Sequence, residues 1–157
     1  MKAFLSYSLN DTDQYILTLL SSELRKKGFS IKQSNDFHSE ISPLTKVNVN
    51  QSQLFIGILT GDGEELERVQ KEYRIASTAG VPSIYLIENT VDINSKFNLP
   101  HIIFNRFNPQ TTIDELNMRI EQRKNEQNQD SSSNMWAWIL GGAALLAVLA
   151  LLTKKDK

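Results

Sequence analysis

Glu72 is the acidic residue whose position in the chain most directly suggests chemistry. It belongs to a predicted helix whose apolar stripe, at helical spacing, consists of Leu66, Val69, Tyr73, Ala76 and Ala79. At 3.6 residues per turn, Glu72 lies about 60° from the centre of this stripe, on the half-buried side. A carboxylate there has to be paired or hydrogen-bonded, and such groups are concentrated at active sites. Glu72 therefore either forms an ion pair with a neighbouring helix or takes part in catalysis.

The other polar side chains of this helix are expected to face solvent; they are Arg68, Gln70, Lys71 and Arg74. A second acid, Glu65, has a structural explanation. It lies three residues after Asp62, and this pair has the spacing of a capping box at the start of the helix. Capping accounts for Glu65 and leaves Glu72 without such a role.

Other reactive side chains do not form a second catalytic set. The chain contains two histidines and no cysteine, and neither His38 nor His101 has a partner at metal-ligand spacing, so no metal site or cofactor is expected. Ser6 and Ser8 have no histidine placed to activate them, which argues against a serine hydrolase. The glycine-containing turn at residues 61–63 lacks the Gly-Lys-Ser/Thr ending of a phosphate-binding loop.

The charge of the chain argues against nucleic-acid binding. The formal net charge is −1, and residues 1–134 are more acidic still, because three of the lysines follow them. Proteins that bind nucleic acid present a basic surface, and no basic patch is visible in this sequence. No nucleic-acid partner is expected.

Strand-like and helix-like segments alternate along residues 1–122. Strands are predicted at 3–7, 29–33, 54–59, 83–87 and 102–104, and helices at 11–27, 44–52, 62–80 and from Thr111 or Thr112 to 120. This alternation predicts an α/β fold, with a flavodoxin-like five-stranded parallel sheet of order 2-1-3-4-5 and helices on both faces.

A sheet of this kind binds ligands beyond the carboxyl ends of its strands, where the strand order reverses. For the order 2-1-3-4-5 the crevice opens between the first and third strands. Its lips are then residues 7–11 and 60–64, which makes Asp11 and Thr60 candidate substrate-binding residues. The helix that carries Glu72 leaves from the second lip.

An apolar segment near the C-terminus predicts a membrane anchor. Residues 135–152 contain no charged side chain, and at 1.5 Å per residue they span roughly 27 Å, close to the thickness of the hydrocarbon core. Tryptophans at its start and lysines after its end suit the two interfaces. Because residues 1–7 do not form a signal peptide, the domain is expected in the cytoplasm. The predicted organisation is a domain at 1–122, a polar flexible linker at 123–134, a transmembrane helix at 135–152 and a basic tail at 153–157.

The order of several short motifs resembles that of Toll/interleukin-1 receptor (TIR) domains of bacterial type. Residues 4–8, with the sequence Phe-Leu-Ser-Tyr-Ser, are followed by Asp11 and by a helix that ends at Gly28, as in the opening of TIR domains. The later positions of the pattern are Ser52, Glu72, Ala76 and Pro82. The resemblance covers roughly residues 2–122.

The TIR resemblance implies a catalytic role for Glu72. In bacterial and plant TIR domains the glutamate of this helix cleaves NAD at the N-glycosidic bond of nicotinamide. Positive charge builds on the ribose as that bond breaks, and a carboxylate can stabilise the charge, hold the ribose hydroxyls or attack the anomeric carbon. By the same resemblance Tyr7 and Ser8 line the pocket, and Phe37, in the loop 34–43, offers it an aromatic face.

NAD or a related nucleotide is then the expected partner, as substrate, in a bacterial antiviral system. TIR-like domains act as assemblies, so self-association and the lipid bilayer are further expected partners. Two alternatives stay open. The protein could be a non-catalytic TIR-like scaffold that signals by self-association at the membrane. It could also act on nucleosides, because the spacing of Glu72, Ala76, Gly80 and Pro82 is similar to that of nucleoside 2-deoxyribosyltransferases.

Overall fold

The computed structural model describes residues 1–8, 14–34, 36, 40–61, 66–93 and 99–127. The strands are β1 (Lys2–Ser8), β2 (Ser30–Gln33), β3 (Leu54–Leu59), β4 (Ser83–Glu88) and β5 (His101–Phe104), and the helices are α1 (Gln14–Lys26), α2 (Pro43–Asn50), α3 (Leu66–Thr78) and α4 (Pro109–Gln127). All strands pair in parallel in the order β2-β1-β3-β4-β5. The predicted α/β fold and strand order are confirmed.

Helices cover both faces of the sheet, and alternate residues of each strand point to opposite faces. Ala3 and Leu5 of β1 pack in a core cluster with residues of α1 and α4. Phe4, between them, packs in a second cluster with Val49 of α2 and Ala76 of α3. Odd-numbered residues of β1 therefore face α1, and even-numbered residues face α2 and α3.

Helix α3 approaches the sheet closely where β3 has a glycine. A Cβ atom added to Gly57 would lie 2.7 Å from the ring of Tyr85 and 3.3 Å from Cγ1 of Val69. Tyr85 is buried, and its ring stacks on Tyr73 of α3 with the centroids 4.7 Å apart. The missing side chain at Gly57 thus lets the aromatic stack fix α3 over the centre of the sheet.

Helix α3 ends in a glycine turn, as the sequence predicts. Gly80 has a φ of +75°, which glycine adopts without the steric cost of a side chain. Its N–H donates to the carbonyl of Ser77 at 3.1 Å, and the N–H of Val81 donates to the carbonyl of Ala76 at 2.8 Å. This is the Schellman pattern. The predicted stop of α1 at Gly28, with a φ of +89°, is confirmed in the same way.

Helix α4 differs from its prediction at both ends. It begins at Pro109, so neither Thr111 nor Thr112 is its cap. Proline suits the first helical position because its missing N–H would have no partner there. At the other end α4 continues to Gln127, past residue 122 into the predicted linker. Four of the linker residues 123–127 are arginine, lysine, glutamate and glutamine, which are good helix formers, and the fifth is asparagine.

Within the described ranges, no helix combines the length and the apolar character needed to cross a membrane. The predicted transmembrane helix at 135–152 and the basic tail at 153–157 lie outside those ranges. So do Asp62 and Glu65, the residues of the predicted capping box. These features remain predictions.

Candidate functional site

Glu72 is fully buried on α3, with an exposed fraction of 0%. The hydroxyl of Ser34, the residue that follows β2, donates to Glu72 Oε1 at 2.5 Å. Arg68 Nη1 donates to the same oxygen at 3.2 Å. The other carboxylate oxygen, Oε2, has no hydrogen-bond partner among the described residues. The carboxylate is therefore held by one oxygen, while the second is left without a donor.

The expectation that Arg68 faces solvent is wrong, because only 3% of this residue is exposed. The buried face of α3 is rotated away from the predicted stripe, so Leu66 is 44% exposed and Ala79 is also exposed. Arg68 lies one helical turn before Glu72 and shares its face. A buried guanidinium is tolerated when it is paired and hydrogen-bonded, and Arg68 has both kinds of partner.

Arg68 joins α3 to the carboxyl end of β1. Its Nη2 donates to the backbone carbonyl of Tyr7 at 2.7 Å, and its guanidinium carbon lies 5.9 Å from the centroid of the Tyr7 ring, within the range of a cation–π contact. Tyr7, predicted from the TIR resemblance to line a pocket, therefore contacts the residue that holds Glu72. The contact places Glu72 at the carboxyl ends of β1 and β2.

The structure says less about the other predicted substrate-binding residues. Thr60 is buried directly after β3, at the same edge of the sheet. Ser8 is the last residue of β1, and its contacts are not described. Asp11 and Phe37 lie outside the described ranges. The structure therefore brings Tyr7 and Glu72 together through Arg68, and the roles of the other residues remain predictions.

Ser34 and Asp36 form a polar turn after β2 that the sequence reasoning missed. The Ser34 hydroxyl accepts a hydrogen bond from the N–H of Asp36 at 3.3 Å, and Asp36 Oδ2 accepts one from the N–H of Ser42 at 2.9 Å. Burial acts to raise the pKa of Asp36, but hydrogen bonds from Ser42 and Thr45 and the charge of Arg68 outweigh it, so that the pKa is lowered. The signal that could have revealed this turn is the position of Ser34, which directly follows the carboxyl end of the outermost strand β2.

Glu88, at the end of β4, is a second fully buried carboxylate, and both of its oxygens accept hydrogen bonds. Arg106 donates to both of its oxygens through Nε and Nη2, Thr90 Oγ1 donates at 2.9 Å and the N–H of Gly61 donates at 3.2 Å. The hydrogen bond from Arg106 is the main reason that the pKa of Glu88 falls to about 2. Glu88 thus ties together the segments that follow β3, β4 and β5, and both of its oxygens are occupied.

Glu72 differs from Glu88 in having one oxygen without a hydrogen-bond donor among the described residues. A buried acceptor without a donor costs roughly 1–3 kcal/mol, and more when it is charged, so the arrangement does not maximise stability. The prediction of an ion pair is confirmed in part, because Glu72 pairs with Arg68. This partner lies on the same helix, however, and not on a neighbouring one. Among the described residues, no three side chains of the types His, Cys, Asp and Glu come close enough to hold a metal ion. The chemistry that the site offers is that of a positioned carboxylate.

Neither a protein-family model nor a curated protein matches the sequence. Among solved structures, the chain is similar to the CMP N-glycosidase BcmB of Clostridium botulinum, with a TM-score of 0.55 and 18% sequence identity, over 74% of this chain and 99% of that one. It is also similar to the sugar isomerase domain of an RpiR transcription factor from Sphaerobacter thermophilus, with a TM-score of 0.48 and 13% identity, over 98% of this chain and 78% of that one. At these identities the likeness shows the fold alone.

Proposed function

We propose that this protein cleaves the N-glycosidic bond of a nucleotide, with Glu72 as the catalytic carboxylate. The observation that carries the proposal is the asymmetry of Glu72, whose Oε1 is held by Ser34 and Arg68 while no described residue donates a hydrogen bond to Oε2. The likeness to a structure named a CMP N-glycosidase supports the reaction class, because that fold carries this cleavage in at least one protein.

The proposed reaction uses each oxygen of Glu72 differently. When the bond between C1′ and the base nitrogen breaks, its electron pair leaves with the base and positive charge develops on the ribose. Oε2 stabilises that charge, or adds to C1′ to form a glycosyl ester, which water then hydrolyses. Water supplies a hydroxyl to C1′ and a proton to the base. Ser34 and Arg68 are positioning residues, because they fix Oε1 and thereby the direction of Oε2.

Two substrate classes contain the bond in question. A nucleoside 5′-monophosphate such as CMP is the first candidate, because the structural likeness includes an enzyme named for it. NAD is the second. NAD is favoured by the sequence pattern that resembles TIR domains. The residues of that pattern lie near the point where the strand order reverses, because residues 4–8 form part of β1 and Glu72 and Ala76 belong to α3. In both cases the bond that breaks joins a ribose C1′ to a ring nitrogen.

The test is a comparison of base release by the full chain in liposomes. CMP, NAD and deoxynucleosides with a second base are supplied separately, and free base or nicotinamide is measured by chromatography. Glu72→Gln should lower the rate at least about 100-fold. The matched control is Glu67→Gln on the same helix, whose side chain is 70% exposed, and it should leave the rate unchanged. Absence of release from every substrate, or equal rates for Glu72→Gln and the wild type, would overturn the proposal.

One observation favours the scaffold alternative, in which the protein signals by self-association at the membrane. Glu72 is completely buried and paired with Arg68, as a purely structural glutamate would be. The two functions differ in how Glu72→Gln affects the cell. A scaffold keeps its cellular activity in any Glu72 variant that still folds and assembles, whereas the proposed enzyme loses it.

A further inference from the structure

Ser6 lies beside Ser34 in the sheet and faces the same side. Leu5 of β1 is paired with Gln33 of β2, and the N–H of Ser34 donates to the carbonyl of Leu5 at 3.4 Å. Continuing the register by one residue sets Ser34 next to Ser6, across an interstrand spacing of about 4.8 Å. As an even-numbered residue of β1, Ser6 points towards α3, the helix that carries Glu72. On its other side Ser6 is paired with Gly57, whose missing side chain makes room for the ring of Tyr85.

Two polar atoms in this part of the molecule lack partners. Ser6 is 0% exposed and its hydroxyl has no hydrogen-bond partner among the described residues, and the same holds for Glu72 Oε2. The hydroxyl of Ser34, next to Ser6, already donates to the other oxygen of the same carboxylate. The Ser6 hydroxyl can thus still donate a hydrogen bond, and Oε2 can still accept one. Both lie near the carboxyl end of β1, where the strand order reverses.

The partner that satisfies both atoms is a hydroxyl group. A carboxylate oxygen only accepts, and a serine hydroxyl can donate, so the missing group has to donate to one and accept from the other. A water molecule or an alcohol has this property. Because Oε2 acts at C1′ in the proposed function, the substrate alcohol nearest to it is the 2′-hydroxyl, which sits on the adjacent ribose carbon.

We propose that Ser6 and Glu72 Oε2 together bind the 2′-hydroxyl of the substrate and so select ribonucleotides over 2′-deoxyribonucleotides. This inference rests on the proposed N-glycosidic function and names its substrate class. The hydroxyl accepts a hydrogen bond from Ser6 and donates one to Oε2. Both protein atoms are buried among the described residues. A 2′-deoxy substrate leaves both atoms unpaired, which is a strong basis for rejection.

The test uses the full chain in liposomes as wild type, Ser6→Ala and Ser21→Ala. Ser21 is the matched control, because its buried hydroxyl on α1 also has no partner in the described part of the chain, and α1 covers the opposite face of the sheet. The first measurement is the ratio of kcat/KM for CMP and dCMP. The wild type should prefer CMP on the order of 10- to 100-fold, and Ser6→Ala should reduce that preference about tenfold. Ser21→Ala should leave it unchanged. Neither variant should be less stable than the wild type, since each loses only an unpaired hydroxyl.

The second measurement is calorimetric binding of ribose 5-phosphate and 2-deoxyribose 5-phosphate, which requires no turnover. If base is released but Ser6→Ala keeps the wild-type preference in both measurements, the inference is overturned, the partner of these atoms is a water molecule, and the proposed function stands. If no base is released but ribose 5-phosphate binds with a preference that depends on Ser6, the hydroxyl site stands and the proposed function fails. If there is neither release nor a Ser6-dependent preference, both are overturned.

Discussion

Replacing Arg68 by methionine should destabilise the protein strongly. The Arg68 side chain is 4% exposed, that of Glu72 is 0% exposed, and the two are 3.2 Å apart. Methionine keeps most of the apolar stem but removes the charge, so the Glu72 carboxylate stays buried without its cation. Removing one partner of a buried ion pair costs about 3–5 kcal/mol. Domains of this size are stable by roughly 5–15 kcal/mol, so the loss is a large part of the total.

The assay is urea unfolding followed by circular dichroism, under identical conditions for each variant. The matched control is Lys71→Met, which breaks a pair with Glu67 on the same helix at the same four-residue spacing. Those side chains are 38% and 70% exposed, and an exposed pair contributes at most about 1 kcal/mol. The two variants therefore remove the same kind of group and differ mainly in burial.

A double variant separates loss of the pair from loss of packing. Combining Arg68→Met with Glu72→Gln removes the uncompensated charge and should recover more than half of the stability that Arg68→Met loses, as a positive coupling in a double-mutant cycle. A cost of less than about 1 kcal/mol for Arg68→Met, or a double variant no more stable than the single one, would refute the buried-pair reasoning.

Three further predictions concern the framework around the site. The pKa of Glu88 is about 2 against an ordinary 4.5, chiefly because of the hydrogen bond from Arg106. The ionised carboxylate should therefore contribute about 3 kcal/mol of stability above pH 4.5, and this contribution should disappear as the pH falls towards 2. In urea unfolding measured across this pH range, Arg106→Met should make the stability depend less on pH. Gly57→Ala should cost about 1–3 kcal/mol in the same assay, because the new Cβ meets the buried Tyr85 ring; an unchanged stability would contradict the close approach. Gly80→Ala should cost about 1–2 kcal/mol because of its positive φ, and thermal unfolding checks this.

The strand order of this fold could be predicted from local sequence signals. Continuous apolar runs such as residues 54–59 give buried parallel strands, and the glycines at 28 and 80 end the helices that precede β2 and β4. Each of these signals lies within a few residues of the feature it determines. They are sufficient for the sheet because alternating strands and helices leave few topologies open.

The contacts of the site could not be predicted in this way, because they join residues distant in the chain. Arg68 is buried because the carbonyl of Tyr7, 61 residues away, accepts its hydrogen bond. Ser34 reaches Glu72 across 38 residues. A helical periodicity that treats every arginine as solvent-facing assigns Arg68 to the wrong side. Burial of Glu72 was predictable from its own helix, but the identity of its partners was not.

Carbon-13 NMR of a substrate labelled at C1′ tests the central claim most directly. The claim is that Glu72 acts on the bond between C1′ and the base nitrogen. With labelled CMP or NAD, the wild-type protein should convert the glycosidic C1′ signal into that of a sugar or a cyclised product as free base accumulates, and Glu72→Gln should be slower by at least about 100-fold while Glu67→Gln keeps the wild-type rate. An unchanged C1′ signal with both substrates, or full conversion by Glu72→Gln, would contradict the account.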